Sequence, residues 1–355
     1  MRRRLSVLLI ILLGCITGST AGTPLTDITE AVQSRLIDLK FKAEDLDALA
    51  GKQVIVRRLP TQNSKQMGAF GAVFVDADLE AFVESYRSLA AFNQTPSVIA
   101  SGRFGPTPGM ESLKSLTIDD EDLYALTKCR VRESDVKLSA QDIAKFQSIV
   151  GSAPRLTPKL KARLTDEYKK LLIERVQTYM AKGSAALGSL ADGGEPIKVH
   201  DAFVSLAREQ AASARHCEHL YSHLEDYPEG VAPDSESFTY WAKQKFGKLK
   251  PVINLVHVVI HREGGRVFIA SKQIYSSHYT EGGLSVAELI PFTDSRGQSR
   301  TLVLYWIRLQ VDVLGGTLSF IKKRMAQPRM MSALKESLKG VRLAMERPAL
   351  AARPH

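Results

Sequence analysis

The chain has 355 residues, of which 44% are hydrophobic and 24% are charged, and its formal net charge is +10. These proportions are typical of a globular protein, and the length allows either two domains or one domain with an insertion. The basic charge is dispersed, and beyond the first four residues the sequence has no arginine-rich run, zinc finger or aromatic RNA-binding motif, so it does not support a nucleic-acid partner.

Residues 1–21 have the three parts of a secretory signal peptide. Arginines occupy positions 2–4, a short apolar run covers 5–13, and a small-residue cleavage site lies at 19–21. The apolar run is too short to span a bilayer. We therefore expect a periplasmic or secreted protein, cleaved after Ala21, whose net charge falls from +10 to +7 because three arginines and no acidic residue are removed. The segment ending at Cys15 resembles a lipoprotein box, which offers lipid anchoring as the alternative.

Two cysteines, Cys129 and Cys217, remain after such cleavage. In an oxidising compartment they could form a disulfide. Cysteine is also commonly buried as a small apolar side chain, so two free buried thiols are the other reading. The sequence leaves both open.

The first half of the chain predicts a mixture of strands and helices. Residues 22–48 are expected to form a leader with a short helix, and residues 49–139 the first half of an α+β domain. The elements predicted there are strands at 52–59 and 68–77, a helix at 76–92 capped by Asp76 or Asp78, a glycine- and proline-rich loop at 102–109, and short strands at 115–126 and 129–139.

Residues 140–235 change character and predict a helical insertion. Helices are indicated at 140–150, 157–183 and 200–227, the second with one buried apolar stripe. The third carries His216, His219 and His223. The first and last of these lie about 10 Å apart along the axis, and the glutamate of an HExxH motif is missing, so we expect a solvated face and no metal.

Residues 236–347 predict a four-strand meander followed by a long helix. The strands are 251–263, 266–279, 283–293 and 300–312, and their short glycine-containing turns require antiparallel neighbours. The final helix is expected to be interrupted at Pro328. Its apolar face consists of Met331, Leu334, Leu338, Val341 and Met345, and residues 348–355 are expected to be a flexible tail.

This order predicts an α+β fold in which a curved antiparallel sheet is covered by the C-terminal helix. It resembles the helix-grip topology of START-like lipid-transfer and polyketide-cyclase-like proteins, with a helical insertion. At the residue level the chain also resembles a family of exported bacterial proteins of unknown function, through "CRVRESDVKLSAQDIAKF", "SFTYWAKQKFGKLKPVINLVHVVI", "ASKQIYSSHYTEGGL" and "LVLYWIRLQVDVLGG". That family has a second cysteine where this chain has Ser134, so a local bridge from Cys129 is impossible here. The resemblance implies one integrated domain architecture, but it implies no particular activity.

Polar side chains in the meander are the candidate ligand-binding residues. They are His257, Lys272, Tyr275, His278, Tyr279 and Arg308. An apolar wall with a few converging polar groups is typical of a small-molecule pocket. The alternative is an internal network, with Arg308 paired to Asp312 or Glu288 and His257 hydrogen-bonded in the core.

These observations favour a binding protein over an enzyme, because neither a nucleophile elbow nor a phosphate loop is present. We expect a hydrophobic or amphipathic, lipid-like molecule held between the sheet and the C-terminal helix, without a cofactor. Contact of the basic surface with a membrane is a further expectation. The alternatives are a hydrolase- or cyclase-like enzyme using His278 or His257 as general base, and a structural or partner-binding protein of the cell envelope.

Overall fold

The computed structural model describes residues 28–351 apart from 90–92, 94, 96, 152–154, 215–217, 231–233 and 315–318. The predicted signal peptide, Cys15, His216 and Cys217 lie outside these residues. Within the described ranges, no helix has both the length and the apolar character that crossing a bilayer requires.

The centre of the fold is one eight-stranded antiparallel sheet, with the strand order β1-β2-β10-β9-β8-β7-β6-β3. The four strands of the predicted meander are β7 to β10 and neighbour one another in chain order, as predicted. Strands β3 and β6 were not predicted, and β3 falls partly in the segment read as a loop. The strands are β1 Ile55–Leu59, β2 Gln66–Val75, β3 Val98–Arg103, β4 Ser189–Leu190, β5 Ile197–Lys198, β6 Ser235–Gln244, β7 Val252–Glu263, β8 Arg266–Ser276, β9 Thr280–Thr293 and β10 Ser299–Val311, where β4 and β5 form a separate ribbon.

Helices surround this sheet. They are α1 Glu30–Asp38, α2 Ala43–Ala50, α3 Leu79–Arg87, α4 Asp120–Lys128, α5 Ala140–Val150, α6 Pro158–Lys182, α7 Val199–Ala214, α8 Glu218–Asp226 and α9 Ser319–Ala351, with 3-10 turns at Met110–Leu113, Ser184–Leu187 and Asp312–Leu314.

Several helix boundaries differ from the prediction. The strand predicted at 115–126 is wrong, because four acidic residues at 119–122 place negative charge at the N-terminus of a helix, α4. The segment 129–139 forms isolated bridges instead of a strand. Helix α9 continues through Pro328 and into the first residues of the predicted tail, whereas residues 352–355 lie outside the described ranges.

The C-terminal helix packs directly on one face of the sheet. Leu334 and Leu338 are buried among valines and isoleucines of the strands, and the predicted apolar face of α9 is confirmed. A Cβ atom added to Gly71 of β2 would lie 2.4 Å from Leu338 Cδ1, so any larger residue would displace this leucine methyl group. The helix and the strand are therefore in van der Waals contact at this point.

Helices also cover the opposite face. Every residue of β2 is buried, and nearly all of β9 is, which requires apolar neighbours on both sides. Helix α1 contributes Val32 and Leu36 to a core with Phe70 and Trp306. Helices α7 and α8 pack over β7 to β9, and the block α4–α6 covers the end near Leu255 and Trp241. The leader helix and the helical block thus belong to the packed layers of an α+β protein.

Candidate functional site

The six predicted residues lie on the sheet face opposite α9 or at its rim. Their contacts are with α4, α6, α7, α8 and the loops between these helices. The prediction that they face the C-terminal helix is therefore wrong. Strict alternation along 266–279 puts Lys272 and Tyr275 on opposite faces, but a register irregularity opposite Leu255 and Val256 shifts the alternation before Tyr275. The strand pattern also does not indicate which helices cover the face. The structure divides them into three separate groups.

The first group has a structural role in joining β8 to the helical block. His278 Nε2 lies 3.0 Å from Asp122 Oδ1 and its Nδ1 lies 2.8 Å from the carbonyl oxygen of Asp135. Burial alone would lower the pKa of His278, but the hydrogen bond and charge of Asp122 outweigh it and the pKa is raised. Since both ring nitrogens are engaged, His278 has no nitrogen free for a substrate.

Tyr275 and Tyr279 complete this group. The Tyr275 hydroxyl donates to the carbonyl oxygen of Lys137 at 2.8 Å and contacts the Tyr168 hydroxyl at 3.0 Å. Burial raises the pKa of Tyr275. The Tyr279 hydroxyl accepts from the backbone N–H of Lys250 at 3.1 Å. These bonds are those of an internal network.

Arg308 forms the second group with helix α7. Its Nη1 donates to Glu209 Oε2 at 2.8 Å and to the Pro60 carbonyl oxygen at 2.9 Å, and its Nη2 donates to Ser213 Oγ at 2.5 Å. Burial lowers the pKa of Arg308, while the charge of Glu209 opposes this. The internal pairing expected for Arg308 is present, although its partner is Glu209.

The two partners predicted for Arg308 are engaged elsewhere. Asp312 pairs with Lys137 at 2.9 Å. Glu288, fully buried, accepts from Arg35 and Arg266, each at 3.0 Å. Both predictions for the Arg308 ion pair are therefore wrong, because α7 brings Glu209 closer than any carboxylate of the sheet.

Lys272 and His257 form the third group, and Lys272 is a buried amine without an ion pair among the described residues. Its Nζ donates to the Leu224 carbonyl oxygen at 2.5 Å and to Ser184 Oγ at 3.3 Å. The same nitrogen lies 3.7 Å from the centroid of the Phe203 ring. Burial lowers the pKa of Lys272 from 10.5 to about 7, against the opposing charge of Glu225. A sizeable fraction of Lys272 is therefore neutral at neutral pH.

His257 lies beside Lys272 across the β7–β8 pair. Its Nδ1 is 2.8 Å from the Tyr179 hydroxyl, and its ring packs 4.3 Å from that of Tyr227, centroid to centroid. Burial, with the positive charges of Lys272 and His223, lowers the pKa of His257 to about 3, so the ring is neutral. His257 Nε2 is a buried nitrogen with no hydrogen-bond partner in the described part of the chain.

A polar cleft of about 540 Å³ runs along α7, and we call it the α7 cleft. Its lining residues are Gln62, His200, Asp201, Val204, Ser205, Arg208, Glu209 and Glu225. Six of them lie on α7 at positions that recur every turn, so one face of this helix forms the floor. The sequence does not indicate this face, because its residues resemble those of any solvated helix surface.

The α7 cleft is connected to both buried cations. At one end His200 Nδ1 lies 2.9 Å from Ser184 Oγ, which in turn accepts from Lys272. At the other end Glu209 accepts from Arg308. Two of the six predicted residues are thus placed directly behind the cleft, and Ser184 and His200, which the sequence did not indicate, join one of them to it.

Charges of both signs remain available in this cleft. Glu209 is paired with Arg308, whereas Asp201, Arg208 and Glu225 have no ion pair within the described ranges. On α8, His219 is exposed and His223 is buried with Nδ1 on the Gly230 carbonyl oxygen at 3.0 Å. Within the part of the chain that the structure describes, no three histidine, cysteine or acidic side chains are grouped as metal ligands.

Cys129 is a buried free thiol whose Sγ donates to the Leu126 carbonyl oxygen at 3.2 Å. Burial raises the pKa of Cys129, which leaves the thiol protonated and unreactive at neutral pH. It is therefore a core residue.

Comparison with known families finds no family model that matches this chain, and a search of curated proteins finds no significant match. The function is therefore inferred from the fold and from the geometry of the α7 cleft.

Proposed function

We propose that the protein is an exported binding protein that holds a small polar molecule in the α7 cleft. The observation that carries this proposal is a cleft of about 540 Å³ whose lining includes Asp201, Glu225 and Arg208, none of which has an ion-pair partner among the described residues. That volume lies within the range of about 300–1,000 Å³ that is usual for small-molecule sites.

The arrangement of charge favours a ligand with a positive and a negative end. The planar guanidinium of Arg208 suits a carboxylate or phosphate, and Asp201 with Glu225 suits an amine. Asp201 and Arg208 are seven residues apart on α7, which is about 10 Å along the helix axis. A zwitterion of that length, such as a short peptide, fits both ends.

The lipid-like ligand expected from the sequence is less favoured by the packing. Leu338 contacts β2 at Gly71, so that part of the space between the sheet and α9 is filled. The six polar candidates lie on the other face or at its rim. We propose that the helix-grip resemblance concerns the scaffold, an antiparallel meander with a long C-terminal helix, and that the ligand lies on the opposite side.

Native mass spectrometry of the full chain against short zwitterionic peptides, diamines and dicarboxylates tests this proposal. Wild-type protein should retain zwitterions preferentially, and Arg208→Gln or Asp201→Asn should each weaken retention about tenfold, which corresponds to one lost charge-assisted hydrogen bond. Arg163→Gln, an exposed change on α6, is the matched control. A lipid that co-purifies and is lost from Leu338→Ala, with no retention of polar molecules, would contradict the proposal.

A second candidate function is acid–base catalysis in the same cleft, favoured by the chain of hydrogen bonds from His200 through Ser184 to Lys272. His200 would contact the substrate, and Ser184 and Lys272 would position the imidazole and hold a proton. The earlier candidates fit less well, since His278 is bonded at both nitrogens and His257 is fully buried. Turnover of a retained ligand that is abolished in His200→Gln but not in His278→Gln would identify an enzyme; unchanged turnover in His200→Gln would exclude this mechanism.

A further inference from the structure

The turn between β6 and β7 exposes two large apolar side chains. Phe246 is 44% exposed and Leu249 is 47% exposed. The turn is closed by the Leu249 N–H donating to the Phe246 carbonyl oxygen at 3.1 Å, and Gly247 takes a positive φ of 58°. Such turns usually carry small polar residues, so two exposed apolar side chains on one of them need another explanation.

Strand β3 adds a third apolar side chain at the same end of the sheet. Its first residues pair with the end of β6, and the Lys245 N–H donates to the Ser97 carbonyl oxygen at 2.8 Å. A register irregularity between Val98 and Ala100 leaves Ile99 outside the pairing, and Ile99 is 53% exposed. We call Ile99 and residues 245–249 the apolar tip.

Two lysines of the apolar tip carry uncompensated charge. Lys245 and Lys248 are exposed, and neither has an ion pair in the described part of the chain. The other two lysines of the hairpin are already engaged with carboxylates, Lys243 with Asp119 and Lys250 with both Glu121 and Asp135. The acidic groups near the base of the hairpin are therefore held by these lysines, and the outermost residues present positive charge beside apolar groups.

We propose that the apolar tip docks on the surface of an anionic lipid bilayer. Phe246, Leu249 and Ile99 would enter the headgroup region, while Lys245 and Lys248 would remain at the level of the phosphates. The tip is narrow, whereas a stable protein partner requires about 800 Å² on each side. A bilayer accommodates such a hairpin without a matching concave surface. This proposal is independent of the ligand assigned to the α7 cleft.

Fluorescence of a single introduced tryptophan tests where the protein meets the bilayer. The native Trp241 and Trp306 are fully buried, so Phe246→Trp adds the exposed indole whose emission reports insertion. The full chain should show a blue shift with vesicles of phosphatidylcholine plus phosphatidylglycerol and little shift with phosphatidylcholine alone. Ile37→Trp, at a site 61% exposed on α1, is the matched control and should not shift. Equal shifts at both positions, or none at 246, would overturn the proposal.

Sedimentation with the same vesicles measures separately what the lysines and the apolar side chains of the apolar tip contribute to binding. Lys245→Gln and Lys248→Gln should each weaken binding about fivefold, and Leu249→Ser should weaken it about tenfold. Lys159→Gln with Arg163→Gln removes two exposed charges of α6 and should have little effect. All variants keep the same N-terminal residues, so any contribution of these residues to vesicle binding is the same in each variant. The proposal fails if soluble polyglutamate shifts the tryptophan emission as vesicles do, or if Leu249→Ser does not weaken sedimentation with vesicles. Either result would indicate an acidic polypeptide as the partner.

Discussion

Replacing Lys272 by methionine should stabilise the protein at neutral pH. Folding lowers the pKa of this amine from 10.5 to about 7 because it is buried without an ion pair among the described residues. Since each tenfold change in proton affinity corresponds to about 1.4 kcal/mol, burying Lys272 costs about 5 kcal/mol where it is fully charged in both states. Methionine has a similar length and no charge. Its introduction leaves the Leu224 carbonyl oxygen without this donor, which costs about 2 kcal/mol, so the net gain is about 3 kcal/mol where the amine is fully charged and slightly less at pH 7.

The pH dependence identifies the cause of this gain. Between about pH 7 and pH 10.5 the unfolded chain binds more protons at Lys272 than the folded chain does, so the wild-type stability rises with pH across this window. Lys272→Met lacks this rise. Its advantage should be largest below about pH 7 and should shrink by about 1.4 kcal/mol for each pH unit above that, disappearing near about pH 9.

Urea unfolding of wild type and Lys272→Met over this pH range measures the difference in their free energies of unfolding. The titration of all other groups is common to both proteins and cancels in this difference. Lys159→Met, on an exposed surface of α6, is the control and should give a difference that does not vary with pH. A Lys272→Met protein that is less stable than wild type at low pH, or a difference that stays constant from about pH 6 to about pH 9, would refute the account of a buried amine with a lowered pKa.

Three other predictions concern the core. Asp122→Asn should lower the pKa of His278 in an NMR titration and cost about 2 kcal/mol of stability in acid. Folding raises the pKa of His278, so the stabilisation is fully present below about pH 6.5 and is lost as the pH rises through the pKa of the folded state. A His278 titration identical to that of wild type would contradict this prediction. Gly71→Ala should destabilise by about 2 kcal/mol through its contact with Leu338, and unfolding of the double variant with Leu338→Ala should show less than additive loss; strict additivity would mean that the two sites do not touch. Glu288→Gln should cost about 3 kcal/mol in urea unfolding because two arginine charges lose their buried partner, and a cost below about 1 kcal/mol would mean that water screens the site.

Sequence patterns predicted the parts of the fold in which local and tertiary requirements agree. The turns β7–β8 and β9–β10 contain glycines, and the apolar positions of α9 repeat at helical spacing. The glycine turn predicted at 282–283 is wrong, because both glycines pair with β10 inside β9 and the turn lies at 277–279. Asp78 was one of two candidates for the N-cap of α3, and its side chain accepts from the Ala81 N–H. In these segments the local sequence pattern and the tertiary packing favour the same structure, so the sequence alone is enough to predict it.

Strand β3 could not be recognised because its composition is determined by a neighbour. Gly102 reads as a loop residue, yet a Cβ at this position would lie 2.7 Å from Trp241 Nε1. The glycine is required by the close approach of an indole from β6, which is distant in sequence. Covering helices on both faces were missed for a similar reason, since the continuous burial of β2 and β9 depends on helices from the whole chain.

The structure places two of the candidate residues next to the proposed site. Lys272 and Arg308 were chosen as polar groups on an apolar wall, and both lie behind the α7 cleft, where ligand binding stays a prediction. Ser184 and His200 carry no such signal, because a 3-10 turn and the start of α7 bring them together. The choice of sheet face depended on tertiary packing that the strand pattern does not contain.

Reversing one charge in the α7 cleft tests the central claim most directly. Calorimetric titration of the full chain should rank a short zwitterionic peptide above a diamine of similar length for wild type, because the proposal assigns the acidic end to Arg208 and the basic end to Asp201, both of which line the cleft. In Arg208→Glu the ranking should invert, with the diamine favoured by about tenfold or more. An unchanged ranking, or heats indistinguishable from dilution for both proteins, would contradict the assignment of this cleft as the ligand site.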